Sequence, residues 1–161
     1  MSYSLIQRRI KASILYADAS ARNISASAGT VIPFDGFHDL VGSASAGFSA
    51  SSGVISLPAG YWYVLKGSVQ ARFADRSGHV KYIWKDDSTN SDLGRRGTLI
   101  MQEQSQLFGG DEFAVCVVDA TAGSVDIKLA VESIANVTSL NNTTDQRVAG
   151  WIRAEIWRIT G

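Results

Sequence analysis

Apolar and polar residues alternate along most of this chain, and a repeat of two residues is the period of a β-strand. The clearest example is residues 61–73, in which one face is apolar and the other is mixed. That pattern is typical of a half-buried antiparallel strand. Gly67 lies on the apolar face, which predicts a β-bulge or a close neighbour at that point.

Further short apolar runs are separated by turn signals such as Asp35-Gly36, Pro58-Ala59-Gly60 and Ala122-Gly123. Residues 41–53 are predicted to form a loop of small residues, and residues 133–148 a polar loop. No convincing helical pattern follows residue 30, so the sequence predicts an all-β fold, an antiparallel sandwich or barrel of about eight to ten strands. The remaining predicted strands are 30–34, 54–57, 80–85, 98–108, 112–119, 125–131 and 149–159.

The first 28 residues differ from the rest of the chain in charge. This segment contains four basic residues and one acidic residue. The spacing of its apolar residues fits either a helix or a strand. A strand is favoured, because everything downstream is strand-like. We therefore divide the chain into residues 1–28, an N-terminal arm or first strand, and a β domain of residues 29–161. The basic residues are Arg8, Arg9, Lys11 and Arg22.

Length and charge narrow the class of protein. The chain has 161 residues and equal numbers of acidic and basic groups, which fits one domain and argues against a nucleic-acid surface. No apolar run approaches the roughly 20 residues of a membrane span. Arg8, Arg9 and Lys11 interrupt the place where a secretory signal needs an apolar core, so we expect a cytoplasmic product.

Four motifs occur in a fixed order along the chain. They are the Val31-Ile32-Pro33-Phe34-Asp35 run, the segment from Gly53 through Pro58-Ala59-Gly60 to Tyr63, the Gly109-Gly110-Asp111 turn, and the C-terminal Gly150-Trp151-Ile152. In this order they resemble the tumour-necrosis-factor-like and complement-globular-head superfamily. The resemblance covers about residues 29–160. It implies an antiparallel jelly-roll β-sandwich and a compact homotrimer. Bacteriophage virion proteins also use this fold, and the expected lack of a secretion signal favours them.

Some strands are apolar on both faces, whereas a two-layer sandwich needs only one apolar face per strand. The extra apolar surface predicts a subunit interface, because a monomer rarely exposes so much of it. The alternative is a covering layer within the monomer, such as the N-terminal segment. The predicted trimer interface consists of Trp62, Val64, Ala114, Cys116, Val118, Trp151 and Trp157.

Candidate chemistry is sparse. Asp86, Ser88, Asn90 and Asp92 place oxygen atoms at alternate positions, as a calcium loop does, but the glycine and glutamate of such a loop are missing. We interpret this segment as a polar turn and keep its four residues as weak metal candidates. Cys116, within an apolar strand, is expected to be a buried thiol rather than a nucleophile.

His38 and His79 are interpreted as surface residues, and Arg95-Arg96 is a weak candidate for binding an acidic partner. No catalytic motif is found, so the sequence predicts neither an enzyme nor a cofactor.

Taken together, these features predict a structural virion protein. We expect a trimeric capsid decoration protein that is made in the host cytoplasm and binds the major capsid protein on the outer surface of a phage shell. Arg8, Arg9, Lys11 and Arg22 would contact the shell. The alternatives are the receptor-binding tip of a tail fibre or spike, and a lectin-like or other ligand-binding module.

Overall fold

The alternating pattern forms strands throughout the computed structural model, which describes residues 11–19, 23–39, 47–74, 77–100, 112–140 and 152–160. These residues contain twelve strands and no helix, and therefore no helix that could cross a membrane. The strands are β1 (Lys11–Asp18), β2 (Gly36–Asp39), β3 (Ser49–Ser51), β4 (Val54–Leu57), β5 (Trp62–Ser68), β6 (Ala71–Phe73), β7 (His79–Asp86), β8 (Asp92–Ile100), β9 (Ala114–Asp119), β10 (Val125–Ala135), β11 (Val137–Leu140) and β12 (Arg153–Thr160).

Ten strands form one curled antiparallel sheet, in the order β2-β1-β12-β5-β9-β8-β7-β10-β4-β3. The sheet turns at β8, whose ladder with β9 is limited to Arg95 opposite Val115 and an isolated bridge between Thr98 and Glu112. The first layer of the sandwich is thus β2-β1-β12-β5-β9, and the second is β8-β7-β10-β4-β3. This all-β arrangement is an antiparallel jelly-roll sandwich.

The core lies between the two layers and is built on aromatic side chains. Trp84, Tyr63, Tyr82 and Phe34 are all fully or almost fully buried, and the rings of Phe34 and Trp84 stack with centroids 6.2 Å apart. Tyr63 belongs to the first layer, and Tyr82 and Trp84 to the second. These large rings fill the space that the small residues of β9 and β5 leave open.

Gly67 has a close neighbour and no bulge. The ladders of β5 with β12 and with β9 run through it without a register shift. A β-carbon at this position would lie 2.9 Å from Cδ2 of Leu129 and 3.0 Å from Cζ2 of Trp84. The glycine therefore allows the two layers to approach each other.

Several sequence-based strand assignments are corrected. Strand β3 lies within the predicted loop 41–53, and β8 begins at Asp92 rather than at residue 98. Residues 61–73 form two strands rather than one: β5 ends at Ser68, and β6 begins at Ala71 and pairs with β11 instead. Strand β11 and the end of β10 occupy the predicted polar loop 133–148. Residues 30–34 form no strand and only a bridge from Val31 to Ala130, since Pro33 has no N–H for a ladder.

Within the first 28 residues, β1 is an interior strand of the first layer. It pairs along its whole length with β12, from Lys11 opposite Thr160 to Asp18 opposite Arg153, and its other edge pairs with β2. Strand β2 occupies the position where the sequence predicted a turn after Asp35-Gly36. Residues Lys11–Asp18 of the N-terminal segment are thus part of the sheet.

Candidate interaction surface

The outer face of the first layer carries large apolar side chains that are open to solvent. Trp62 is 47% exposed and Val117 is 59% exposed, on neighbouring strands β5 and β9. Scattered exposed apolar residues are normal, but contiguous patches mark interaction sites. The exposed members of this face are Trp62, Phe113, Val115, Val117 and Trp157.

Strand register makes this patch continuous. Trp157 on β12 is opposite Val64 on β5, and Val64 is opposite Val117 on β9. Directly opposed residues have β-carbons about 5 Å apart on one face of a sheet. The row Trp157–Val64–Val117 therefore crosses three strands without a polar residue, and Ile159 opposite Trp62 adds an adjacent pair.

Two charged residues beside the apolar row contact aromatic side chains, and a further one, Asp119, lies opposite Trp62 at the end of β9. The ammonium group of Lys66 lies 3.8 Å from the centre of the Phe113 ring, and a carboxylate oxygen of Glu155 accepts a hydrogen bond from the Trp157 indole N–H. Lys66 and Glu155 are opposite each other in the β5–β12 ladder. The aromatic contacts fix these charged groups against the surface and leave the apolar row uninterrupted.

The outer face of the second layer has the opposite character. The Arg96 guanidinium on β8 lies 2.7 Å from the Glu132 carboxylate on β10, so this ion pair passes over β7, which lies between those strands. Lys85 pairs with Asp92 at 2.5 Å, and Lys128 pairs with Asp87 at 3.0 Å. Such pairs stabilise little individually, but they keep this face hydrated.

The faces of β9 are reversed with respect to the sequence-based assignment. Ala114, Cys116 and Val118 point into the core of the single chain and are almost fully buried, so they cannot line an outer surface. Their small volumes pack against the large side chains of β7. The outward positions are instead Phe113, Val115 and Val117, which the predicted interface did not include.

The other predicted interface residues lie elsewhere. Trp62 and Trp157 are exposed and Val64 is half-buried, all on the outer face of the first layer, while Trp151 lies outside the described residues. Phe113, Val115, Val117 and Ile159 were missed. The small residues of β9 pack against large side chains of the other layer. Recognising that match in the sequence would have assigned Ala114, Cys116 and Val118 to the core and the alternate positions of β9 to the surface.

The segment from Asp86 to Asp92 is a hairpin turn. Oδ1 of Asp86 accepts hydrogen bonds from the Ser88 hydroxyl at 2.6 Å and from the Thr89 amide at 2.8 Å and hydroxyl at 2.9 Å. These bonds, the Ser88 hydroxyl first, lower the pKa of the Asp86 carboxyl. Asn90 adopts the left-handed conformation, with φ of 57°, and Asp92 is held by Lys85.

The carboxylates of Asp86 and Asp92 thus already have hydrogen-bond or ion-pair partners within this hairpin. Among the described residues, no three His, Cys, Asp or Glu side chains are grouped as a metal ion requires.

The remaining candidates are separated from one another. Nε2 of His79 lies 3.4 Å from the Ser133 hydroxyl on the second layer, while His38 belongs to β2 of the first layer. Arg95 and Arg96 do not act together, because Arg95 pairs with Glu112 at 3.3 Å and Arg96 pairs with Glu132.

The last candidate residues from the sequence are Cys116 and the basic residues near the N-terminus. Burial raises the pKa of the Cys116 thiol to about 12, so it is protonated at neutral pH. Of the expected shell contacts, Arg8, Arg9 and Arg22 lie outside the described residues, and Lys11 begins β1.

No known family and no curated protein matches this sequence. Its fold, however, is similar to solved structures of murine APRIL. The structure at pH 8.5 matches with a TM-score of 0.50 and 14% identity over 92% of this chain and 99% of that chain. Structures at pH 8.0 and pH 5.0 give TM-scores of 0.47 and 0.49 at 17% and 15% identity, with the same coverage. The chain thus has a jelly-roll fold of the TNF-like type.

Proposed function

We propose that this chain is a structural protein that assembles as a homotrimer through the outer face of β12, β5 and β9. The observation that carries the proposal is the uninterrupted apolar row Trp157–Val64–Val117, on a molecule whose opposite face carries three ion pairs between described residues. Trp62 and Trp157 are 47% and 36% exposed, so each leaves on the order of 100 Å² to be buried, worth about 2 kcal/mol at about 25 cal/mol/Å². Covering Trp62 and Trp157 in each subunit can offset part of the cost of association.

The finer proposal is that this trimer decorates the outer surface of a phage shell and binds the major capsid protein there. It is supported by the basic residues Arg8, Arg9, Lys11 and Arg22 near the N-terminus, since basic side chains steer a protein towards an acidic surface. The same trimer at the tip of a tail fibre is the alternative proposal.

Light scattering tests the assembly. We expect a mass about three times the 17.3 kDa of the chain. Val117→Glu places a charge at the β9 end of the apolar row, at a position that is 59% exposed in the subunit, so it should give a folded monomer. Lys81→Glu, at an exposed position of β7, is the matched control and should remain trimeric. A monomeric wild-type protein would refute the assembly proposal.

The shell contact is tested on undecorated particles. Deleting residues 2–10 removes Arg8 and Arg9 but leaves β1 intact. The shortened trimer should bind particles much more weakly than the full-length trimer. The difference in affinity should be largest at low ionic strength, because salt screens the attraction between the basic residues and the shell. Full decoration by the shortened protein would contradict a role for the basic residues, and electron microscopy showing the chain on the tail would favour the fibre alternative.

A further inference from the structure

Arg158 occupies a core-side position of the first layer. It lies on β12 opposite Tyr63, whose side chain is fully buried, and it follows Ala154 and Ile156 in the inward-facing alternation of the strand. Ala154 and Ile156, the inward residues that precede it, are both buried and apolar. An arginine in that series departs from the binary pattern, and such departures are expected at functional sites.

The guanidinium of Arg158 is placed by an aromatic ring. Its Cζ atom lies 4.9 Å from the centre of the Tyr61 ring, where β5 is about to begin and β12 is close to its end. A guanidinium over a ring leaves the N–H groups along its edge for a planar acceptor.

One N–H group of this edge lacks an acceptor within the described part of the chain. The Nε atom of Arg158 is buried and has no hydrogen-bond partner among the described residues. Four ion pairs between described side chains join other residues, Lys85, Arg95, Arg96 and Lys128 with their carboxylates. Arg95 and Arg96, by contrast, each have a glutamate. A buried donor on a charged group is costly to leave unpaired, so an acceptor from outside these residues is expected to be present in the working protein.

We propose that Arg158 and Tyr61 form a binding site for an organic carboxylate at this end of the sandwich. The guanidinium edge would bind the carboxylate with two parallel hydrogen bonds, and its positive charge would complement the anion. No bond is made or broken, so the site is one of recognition only.

The surroundings favour a carboxylate that is attached to a ring. Tyr61 is half-buried and contacts Tyr63 edge-on at 6.2 Å, and the half-buried Phe48 contacts Tyr63 at 5.6 Å. Partly exposed aromatic rings beside a cation can pack against the apolar face of a six-membered ring. A sugar acid, such as a uronic acid, combines that ring with the carboxylate.

The test follows the Nε–H resonance of Arg158 by nitrogen-15 NMR on the whole protein, in whatever oligomeric state it adopts. Acetate and glucuronate are titrated at constant ionic strength, with chloride as the balancing anion. We expect a saturable shift with both carboxylates and at least about tenfold tighter binding of glucuronate, corresponding to ring contacts beyond the carboxylate. Equal affinities for the two would support the carboxylate site and reject the sugar ring.

Matched variants separate the site from general effects. Arg158→Lys keeps the charge but loses the two-bond geometry, so binding should weaken roughly tenfold or more. This variant also loses the guanidinium resonance, so its binding is followed through the backbone amide of Tyr61. Tyr61→Leu, followed through the Arg158 Nε–H resonance, should weaken binding as well, and Arg72→Gln, at an exposed arginine, should change nothing. An Arg158 resonance that ignores both carboxylates, or that responds to chloride equally, would overturn the proposal. Since none of these readouts depends on trimer formation, failure here and failure of the proposed assembly are distinct results.

Discussion

The indole N–H of Trp84 donates a hydrogen bond of 3.1 Å to the backbone carbonyl of Ala114. Trp84 belongs to the second layer of the sandwich and Ala114 to the first, with β8 between their strands in the sheet order. Tyr82 makes a similar bond, from its hydroxyl to the Glu112 carbonyl at 2.9 Å. These two side chains therefore join the layers at the point where the sheet turns and the β8–β9 ladder is short.

Replacing Trp84 with phenylalanine should lower the free energy of unfolding by about 2–4 kcal/mol. The change leaves a buried carbonyl without its donor and opens a cavity where the larger ring had been. Urea denaturation measures the effect. Tyr82→Phe removes only a hydroxyl and should cost roughly 1 kcal/mol. A Trp84→Phe protein as stable as wild type would show that the bond between the layers contributes nothing.

Gly67→Ala should destabilise the protein by about 1–3 kcal/mol, because the new methyl group would overlap Leu129 and Trp84 in a packed core. Gly123→Ala is the control, since an added β-carbon there meets nothing within 4 Å. Thermal melting of the two variants provides the comparison. Equal melting temperatures for Gly67→Ala and wild type would mean that the layers can move apart at no cost.

The alternating pattern was enough to predict the fold class and many of its strands. Val54–Leu57 forms β4 as predicted, and the number of such segments predicts an all-β sandwich or barrel, whereas the jelly-roll topology was implied by the family resemblance. The pattern could not orient β9, because both of its faces are apolar and only contacts across the sandwich decide which one is buried. Trp84 bonds to Ala114 and thereby fixes that choice, a relationship between residues 30 positions apart.

The strand at the N-terminus and the end of β5 at Ser68 could not be decided from the pattern for the same reason: both depend on which strand lies next to them in the sheet. The apolar spacing of residues 1–28 fits either a helix or a strand, and the pairing of β1 with β12 in the structure decides for the strand. Residues 61–73 alternate without interruption, yet the ladder moves to β11 after Ser68. Arg158 was missed because a single arginine at the end of an alternating strand is read as a surface residue.

Calcium should not change the stability of the protein. Oδ1 of Asp86 already accepts three hydrogen bonds within the turn, and Asp92 is paired with Lys85, so a cation would have to displace these contacts. Melting temperatures with added calcium and with a chelator should agree. A rise of several degrees with calcium, lost in Asp86→Ala, would make this turn a metal site.

Cys116 should not react with thiol reagents in the native protein. Its pKa of about 12 leaves about one thiolate in ten thousand at pH 8, and the side chain is buried in the core. A chromogenic disulfide should label it only after denaturant is added. Labelling of the folded protein within seconds would show that β9 opens readily, which its place in the core argues against.

The protein should lose stability at alkaline pH. Burial is the main cause that raises the pKa of both Tyr63 and Tyr82 to about 12 from an ordinary value of 10.0, and it raises that of Cys116 from 9.0 to about 12. Between pH 9 and 12 the unfolded chain therefore releases protons that the folded chain retains. The unfolded state binds fewer protons there, so the free energy of unfolding falls as the pH rises and is unaffected by these groups below about pH 9.

Denaturation curves from pH 7 to pH 11.5 measure this decline. Tyr82→Phe removes one of the three groups, so the variant should be less stable at pH 7 but should lose less stability between pH 10 and 11.5. Cys116→Ala should reduce the decline that begins nearer pH 9, where the thiol of the unfolded chain ionises first. Lys81→Glu changes an exposed charge on β7 and should leave the shape of the curve unaltered. If the free energy of unfolding of both core variants falls as steeply with pH as that of the wild type, buried protonated groups are not the cause of alkaline unfolding.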